Sequence, residues 1–390
     1  MGVAYFAPYG VGLGHANRLV NLADRLVDKG IKIRFSSFGE AALYLAAQGY
    51  KCSEVSPVEF AWNMEGEFSV TDSIANISLW FANFSKQVKQ ETRNMIMYDA
   101  DIVISDSRLS PVISAKLLKI PSIVILNQIK LLLSPRLRDI AISRIFENMA
   151  GEFLGLMWQM ADRVLIPDLP PPYTISAHNV WDVGSTAKKI EYIGFTSLKP
   201  CVTTSQKDKV ASSLDIDRSR PLVFIHVSGP AETRMALVKV ALRAVKKLDA
   251  KIQYVISEGK PKGLLKPTRI GQSGWYYEWC PVRDELFAMS DLLVLRGGHV
   301  AMAQAIQFGK PVVTIPIENH GEQLGNSAKI SKLGMGIMLS PKDLKAEHLE
   351  DAILQTLTDP RYKKKALEIQ KLTEKLNGIE NAVKIIRSYV

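Results

Sequence analysis

"WYYEWCPVRDELFAMSDLLVLRGGHVAMAQAIQFGKPVVTIPIENHGEQLGNSAKI", Trp275–Ile330, decides how the chain is read. An apolar run, Leu292–Leu295, stops at Arg296; Gly297 and Gly298 follow, and a helical pattern opens at about His299. The first N–H groups of a helix have no partner inside it and carry a partial positive charge. Glycines let an anion approach the backbone closely. Strand–Arg–Gly–Gly–helix is therefore a physical recipe for a diphosphate site. The alternative is an ordinary tight strand-to-helix turn.

Outward from this stretch, short apolar runs alternate with helical patterns along the 390 residues. Strand candidates in the first half are Val3–Ala7, Ile31–Ser36, Ile102–Ser105 and Ser122–Leu126. In the second half they are Leu222–Val227, Ile252–Ile256, Leu292–Leu295 and Val312–Ile315. Such alternation implies parallel sheets covered by helices on both faces, an α/β class. Gly194 to Pro221, rich in Thr, Ser, Lys and Asp, reads as a linker. The expected organisation is two Rossmann-like, doubly wound domains facing a cleft: residues 1–197, a linker at 198–220, and residues 221–373. Ligands of such sheets bind beyond the carboxyl ends of the strands.

The order and spacing of motifs over about fifty residues resembles the donor-binding signature of the two-domain glycosyltransferases called GT-B. The likeness is to the branch of the UDP-sugar transferases and the peptidoglycan N-acetylglucosaminyltransferase. It is carried by Trp279-Cys280-Pro281, Arg296-Gly297-Gly298, Gly309-Lys310-Pro311, Pro316, and Glu322-Gln323 with Asn326. The resemblance implies that Trp279 and the backbone from Cys280 to Val282 hold the nucleotide base. Arg296 and the Gly297–His299 backbone would hold the diphosphate, with Ser228 and Gly229 contacting phosphate from the loop after Leu222–Val227. Glu322 and Gln323 would bond the sugar hydroxyls, with Glu318 in the loop that selects the sugar or merely solvated there. His299 is either a phosphate contact or a simple helix cap. Gln304 stands where the family carries a ribose-binding glutamate, and an amide binds a diol more weakly. In this fold the last helix, about residues 374–390, crosses back to the first domain.

The opening loop, "PYGVGLGHANR", residues 8–18, sits where a dinucleotide fingerprint would. That fingerprint needs G-x-G-x-x-G and an acidic residue about twenty positions on. Here the spacing is Gly10, Gly12, Gly14, and the second strand ends in Ser36, Ser37 and Phe38. The match is poor. By the same resemblance, the loop presents a histidine to the acceptor, with Gly12 and Gly14 leaving room. A sugar acceptor must lose a proton, so a general base is needed, and histidine suits it near neutral pH. Such a base is often oriented by a carboxylate. Asp106, just past the end of the strand in "ADIVISDS", lies on the same sheet edge as His15. His15 and Asp106 are the catalytic candidates.

Composition narrows the rest. With 47% hydrophobic and 23% charged residues the chain is globular. It shows neither 18 consecutive apolar residues nor a signal-peptide pattern, so a cytoplasmic protein is expected. Three scattered cysteines suggest neither disulfides nor zinc, and "DID", Asp215–Asp217, reads as turn chemistry, so no metal is expected. The net charge of +10 looks dispersed, no nucleic-acid-binding motif accompanies it, and no nucleic-acid partner is expected. Leu131–Arg163 has a basic, amphipathic helical pattern, the pattern of core helices or of a peripheral membrane contact at the inner face.

The resulting expectation is an inverting, metal-independent hexosyl- or N-acetylhexosaminyl-transferase. It would need no cofactor and would use a nucleotide-sugar donor of UDP type. Its acceptor hydroxyl would lean towards a lipid-linked one. A nucleotide-sugar hydrolase or epimerase of the same fold, or a non-catalytic nucleotide-sugar-binding subunit, are the alternatives.

Overall fold

The computed structural model describes residues 2–11, 13–58, 77–129, 141–180, 189–197, 199–229, 231–260, 262–342 and 344–390. The chain forms two compact units. Unit 1 comprises Met1–Thr174, Asn179–Leu198 and Leu376–Val390; unit 2 comprises Ile175–His178 and Lys199–Lys375.

Unit 1 runs β1 (Val3–Pro8), α1 (Gly14–Val27), β2 (Lys32–Ser37), α2 (Gly39–Ala47), β3 (Cys52–Glu54), α3 (Ile77–Tyr98), β4 (Ile102–Asp106), α4 (Leu109–Leu118), β5 (Ser122–Ile125), α5 (Ala141–Trp158), β6 (Arg163–Ile166) and β7 (Ile190–Tyr192). Its seven strands lie in the order β3-β2-β1-β4-β5-β6-β7 and every pairing is parallel. Helices cover both faces, which is why β1 and β4 read as continuous apolar runs and are buried almost end to end. Leu19, Leu22 and Leu26 of α1, three and four residues apart, form one buried face against this sheet. Strand order reverses between β1 and β4, where Pro8 pairs with Asp106. The crevice at such a switch point is where doubly wound sheets bind ligands.

Unit 2 repeats the plan. It runs α6 (Thr204–Ser213), β8 (Leu222–His226), α7 (Ala231–Leu248), β9 (Gln253–Ser257), β10 (Thr268–Ile270), β11 (Gly274–Tyr277), α8 (Arg283–Met289), β12 (Leu292–Leu295), α9 (His299–Gln307), β13 (Val312–Thr314), α10 (Gly321–Lys332), β14 (Gly336–Met338), α11 (Ala346–Thr358) and α12 (Pro360–Lys375). The order is β10-β11-β9-β8-β12-β13-β14, parallel except for the β10–β11 hairpin. Its switch point lies between β8 and β12.

The last helix, α13 (Gly378–Arg387), belongs to unit 1 and packs on α1. Ile379, Val383 and Ile386 are buried in the unit 1 core, each contributing about 1.5–3 kcal/mol by leaving water. Asn377 caps the helix by accepting from the Glu380 N–H at 3.2 Å, and Asn381 Nδ2 donates to the Ile193 carbonyl at 2.9 Å.

Two readings need revision. The stretch taken as a linker is not open chain, because α6 lies within it and belongs to unit 2. Thr203 and Gln206 form a capping box at its start, and α6 packs on α8. Its mostly exposed polar face gave the loop-like composition. The Leu131–Arg163 pattern is also not helical throughout: α5 ends at Trp158, and Arg163 opens β6. Residues 131–140 of that segment lie outside the described residues. Among the described residues, no helix is long and apolar enough to cross a membrane.

Candidate functional site

In unit 1, the end of β1 and the end of β4 bring His15 and Asp106 together. His15 is the second residue of α1, and its Nδ1 lies 2.7 Å from Asp106 Oδ1. The Asp106 side chain is fully buried, and the Tyr9 N–H donates to its backbone carbonyl at 3.0 Å. The sequence reading missed the third member, Arg18. It clamps the same carboxylate with two bonds, Nε to Oδ2 at 2.7 Å and an Nη to Oδ1 at 2.6 Å. Its signal was present: Arg18 follows His15 by three residues, so both lie on one face of α1.

Burial alone would push the Asp106 carboxyl up; the Arg18 charge, then His15, outweigh it and bring it down to about 2. The ionised carboxylate can only accept. The neutral imidazole of His15 therefore places its proton on Nδ1, which leaves the lone pair on Nε2. The His15 side chain is 26% exposed, so that nitrogen can meet a substrate hydroxyl. A tyrosine ring steadies the imidazole: Tyr9 meets His15 edge-on at 5.9 Å between centroids, and Phe38 at 5.6 Å.

The glycines of the loop serve different ends. At Gly10 a Cβ would fall 2.2 Å from the Phe38 ring, so this glycine makes room for Phe38 rather than for a ligand. At Gly14 a Cβ would meet nothing within 4 Å. Gly12 lies outside the described residues.

In unit 2, the loops after β11, β8, β12 and β13 all leave the carboxyl edge of one sheet. They carry Trp279 to Val282, Ser228 and Gly229, Arg296 to His299, and Glu318 to Gln323. Arg296 is 6% exposed, and its guanidinium donates to the Ser228 carbonyl at 3.4 Å and the Thr233 carbonyl at 3.2 Å. Among the described residues no carboxylate pairs with it, and burial brings it down to about 10, still charged at neutral pH. A buried cation held by carbonyls alone is a ready partner for an anion.

Gly297 has a positive φ of 91°, and a Cβ there would strike Ser327 Oγ at 2.5 Å and the Gln323 carbonyl at 2.8 Å. Asn326 Nδ2 donates to the Gly297 carbonyl at 3.0 Å and holds the turn. Gly298 caps α9 without a side chain, and a Cβ there would meet nothing within 4 Å. The buried His299 opens α9, and a helix start is where backbone N–H groups favour an anion. Ser228 is half-buried and Gly229 exposed with φ 115°. Trp279 is 44% exposed, which leaves ring surface for stacking. Cys280 is buried and its thiol is pushed up to about 12, so it stays protonated at neutral pH and is no nucleophile. Val282 caps α8.

Two expected polyol ligands are placed less freely than the sequence suggested. Gln323 accepts the Ile317 N–H through Oε1 at 3.0 Å, so its amide NH2 is what it can offer. Gln304 accepts from Arg283 through Oε1, and again only its NH2 remains. Glu318 is exposed at the loop tip and Glu322 half-buried in the first turn of α10.

Arg283 was missed. It lies 4.3 Å from the Phe287 ring centroid, donates to Asp284 Oδ1 at 2.9 Å and reaches His226 Nε2 at 3.4 Å. Burial, then the Arg283 charge, brings His226 down to about 3. The folded chain therefore keeps this imidazole neutral, whereas an unfolded histidine titrates near ~6.5. Between those values the unfolded chain binds the extra proton, so stability falls as pH drops, by up to about 1.4 kcal/mol per unit. Urea midpoints at about pH 7 and about pH 5 should draw closer together in His226→Gln than in the wild type. A wild-type midpoint that does not change between them would contradict the neutral assignment.

Around "DID", Asp217 Oδ1 accepts from the Ser219 N–H at 2.9 Å and its hydroxyl at 2.7 Å, which is turn chemistry. Among the described residues no three His, Cys, Asp or Glu side chains gather so as to hold a metal ion.

Two doubly wound parallel-sheet units, each with polar side chains gathered at its own switch point, are the architecture of the GT-B class. Solved structures share it: the glycotransferase of kitacinnamycin at TM-score 0.72 and 14% identity, covering 100% of this chain and 99% of that one, and CalG4, the calicheamicin glycosyltransferase, at 0.70 and 14%, covering 100% and 98%. Residues 224–382 match the glycosyltransferase family 28 C-terminal domain. An "uncharacterized glycosyltransferase" of Methanosarcina mazei is 27% identical over 376 residues, 95% of this chain and 93% of that protein. The UDP-N-acetylglucosamine--N-acetylmuramyl-(pentapeptide) pyrophosphoryl-undecaprenol N-acetylglucosamine transferase of Legionella pneumophila is 27% identical over 208 residues, 50% of this chain and 49% of that one. The chain is a glycosyltransferase with the GT-B fold, and its residues 224–382 are similar to the family 28 C-terminal domain.

Proposed function

We propose that the protein transfers a sugar from a nucleoside diphosphate, of UDP type, to an acceptor hydroxyl with inversion at the anomeric carbon. The observation that carries this reading is the His15–Asp106–Arg18 group: a partly exposed imidazole whose other nitrogen is fixed by a buried, ionised carboxylate. In the reaction, His15 Nε2 takes the acceptor proton as the acceptor oxygen bonds to the anomeric carbon. The bond from that carbon to the diphosphate oxygen breaks, and its electron pair leaves with the nucleotide. Arg296 and the first N–H groups of α9 take up the charge that develops there. Trp279 would stack on the base, and Glu322 with the amide groups of Gln304 and Gln323 would meet hydroxyls.

A lipid-linked acceptor fits the likeness of half the chain to a transferase named for a pyrophosphoryl-undecaprenol substrate. The protein would then act at the inner face of the membrane.

The test begins with a panel of nucleotide sugars in thermal-shift measurements, since a ligand of the folded state alone raises its melting temperature. UDP release is then followed with donor alone and with added polyprenyl-linked or soluble acceptors. The expected result is stabilisation by UDP and its sugars, and release that accelerates with acceptor. Equal release with and without acceptor would make the protein a hydrolase. No stabilisation by any nucleotide would overturn the donor site.

A further inference from the structure

The two units differ sharply in charge. By sequence, unit 1 is close to neutral and unit 2 carries nearly all of the net +10, so the charge is not dispersed as the linear sequence suggested. Within unit 2, the connection between β9 and β10 combines that charge with exposed apolar surface. It reads Lys260-Pro261-Lys262-Gly263-Leu264-Leu265-Lys266. Leu264 and Leu265 are 69% and 59% exposed, and neither belongs to a core cluster.

The loop is held so that the leucines stay outside. Leu264 donates its N–H to Glu278 Oε2 at 3.1 Å and accepts the Trp279 N–H at 3.2 Å. The Gly263 N–H closes a turn on the Lys260 carbonyl at 3.0 Å, and a Cβ at Gly263 would sit 2.7 Å from Glu278 Cβ. Lys260 is spent on Glu278 at 2.9 Å. Lys262 and Lys266 are exposed and, among the described residues, have no carboxylate partner. The result is an exposed apolar tip flanked by two lysines with no carboxylate partner among the described residues.

We infer that this loop is a contact for the surface of an anionic lipid bilayer. A stable protein partner needs roughly 800 Å² on each side, which two leucines on a turn do not supply. Nucleic acid would use the lysines and leave the leucines without a role. A bilayer interface uses both, taking a small apolar tip into the headgroup boundary and attracting lysines by a field that needs no fixed geometry. The inference stands apart from the identity of donor and acceptor, because the contact is with the bilayer itself.

The test is flotation of the full chain with vesicles of phosphatidylcholine alone and with phosphatidylglycerol added. Binding is expected to the anionic vesicles and not to the neutral ones. Leu264→Ser/Leu265→Ser should weaken it at least about tenfold, since each buried CH₂ contributes. Lys262→Ala/Lys266→Ala should weaken it by a similar factor, about fivefold per lysine, and flatten its salt dependence. UDP-induced thermal shifts should be unchanged in both variants, which shows that they fold.

Helix α5 supplies the control, because Met149, Phe153 and Leu156 form its own exposed apolar row. No binding of the wild type to anionic vesicles overturns the inference. So does wild-type binding by the leucine double variant, or loss of binding on Phe153→Ser instead. Self-association that depends on Leu264, without vesicle binding, also overturns it.

Discussion

His15→Ala lowers the transfer rate about 10²- to 10⁴-fold, the span that a positioned acid–base side chain contributes, while the dissociation constant for UDP stays at its wild-type value. The separation follows from the fold: His15 lies in unit 1, and the residues read as nucleotide ligands lie in unit 2. A base that only removes the acceptor proton has no part in holding the nucleotide. The supporting pair should grade the effect. Asp106→Asn replaces an ionised acceptor by an amide that can also donate, so the proton of His15 is no longer confined to Nδ1. Arg18→Ala removes the largest of the charges that hold the Asp106 carboxyl down, leaving His15 alone to oppose its burial. Its rate should therefore fall on acidification through a range where the wild type, with Asp106 at about 2, keeps the carboxylate ionised. The measurements are kcat at saturating donor, calorimetric binding of UDP, and the acid limb of the pH profile. Transfer by His15→Ala at the wild-type rate would remove His15 from the mechanism.

What the sequence made legible follows burial. All eight proposed strands exist, and they are eight of the ten inner strands of the two sheets, β1, β2, β4, β5, β8, β9, β12 and β13. Covered on both faces, most of them are near-continuous apolar runs, while β2 alternates the buried Ile33 and Phe35 with Lys32 and Arg34. The outer strands β3, β7, β10 and β14 have three residues each and partly exposed faces, so no such run marks them. β6 was hidden for another reason: its apolar residues continue the helical pattern of α5. The His15–Asp106 pairing was legible because residues leaving neighbouring parallel strands share an edge. Arg18 and Arg283 were not, since a surface-type residue on a helix looks alike whether it clamps a buried carboxylate or faces water. The commitment of Gln304 and Gln323 to Arg283 and the Ile317 N–H is tertiary geometry, invisible in spacing.

Arg296→Met should have opposite effects with and without nucleotide, and that contrast separates a ligand residue from a structural one. In the empty protein Arg296 is a buried cation bonded to two carbonyls and, among the described residues, to no carboxylate. Replacing an uncompensated buried charge with an apolar side chain of similar length is commonly neutral or stabilising. The two carbonyls released, of Ser228 and Thr233, can turn to water at the half-buried edge of the site. The melting temperature of the apo variant should therefore match or exceed that of the wild type. With UDP the order reverses: the diphosphate loses its charge-assisted partner and the stabilisation by ligand shrinks. Transfer should fall about 10²- to 10³-fold in kcat/KM, because this group acts where charge develops on the leaving oxygen. Arg296→Lys should recover part of the binding and little of the rate, since an ammonium keeps the charge but loses the planar fork. A variant that melts well below the wild type when empty yet binds UDP normally would show that Arg296 braces the Ser228 loop and the first turn of α7 and that the diphosphate lies elsewhere.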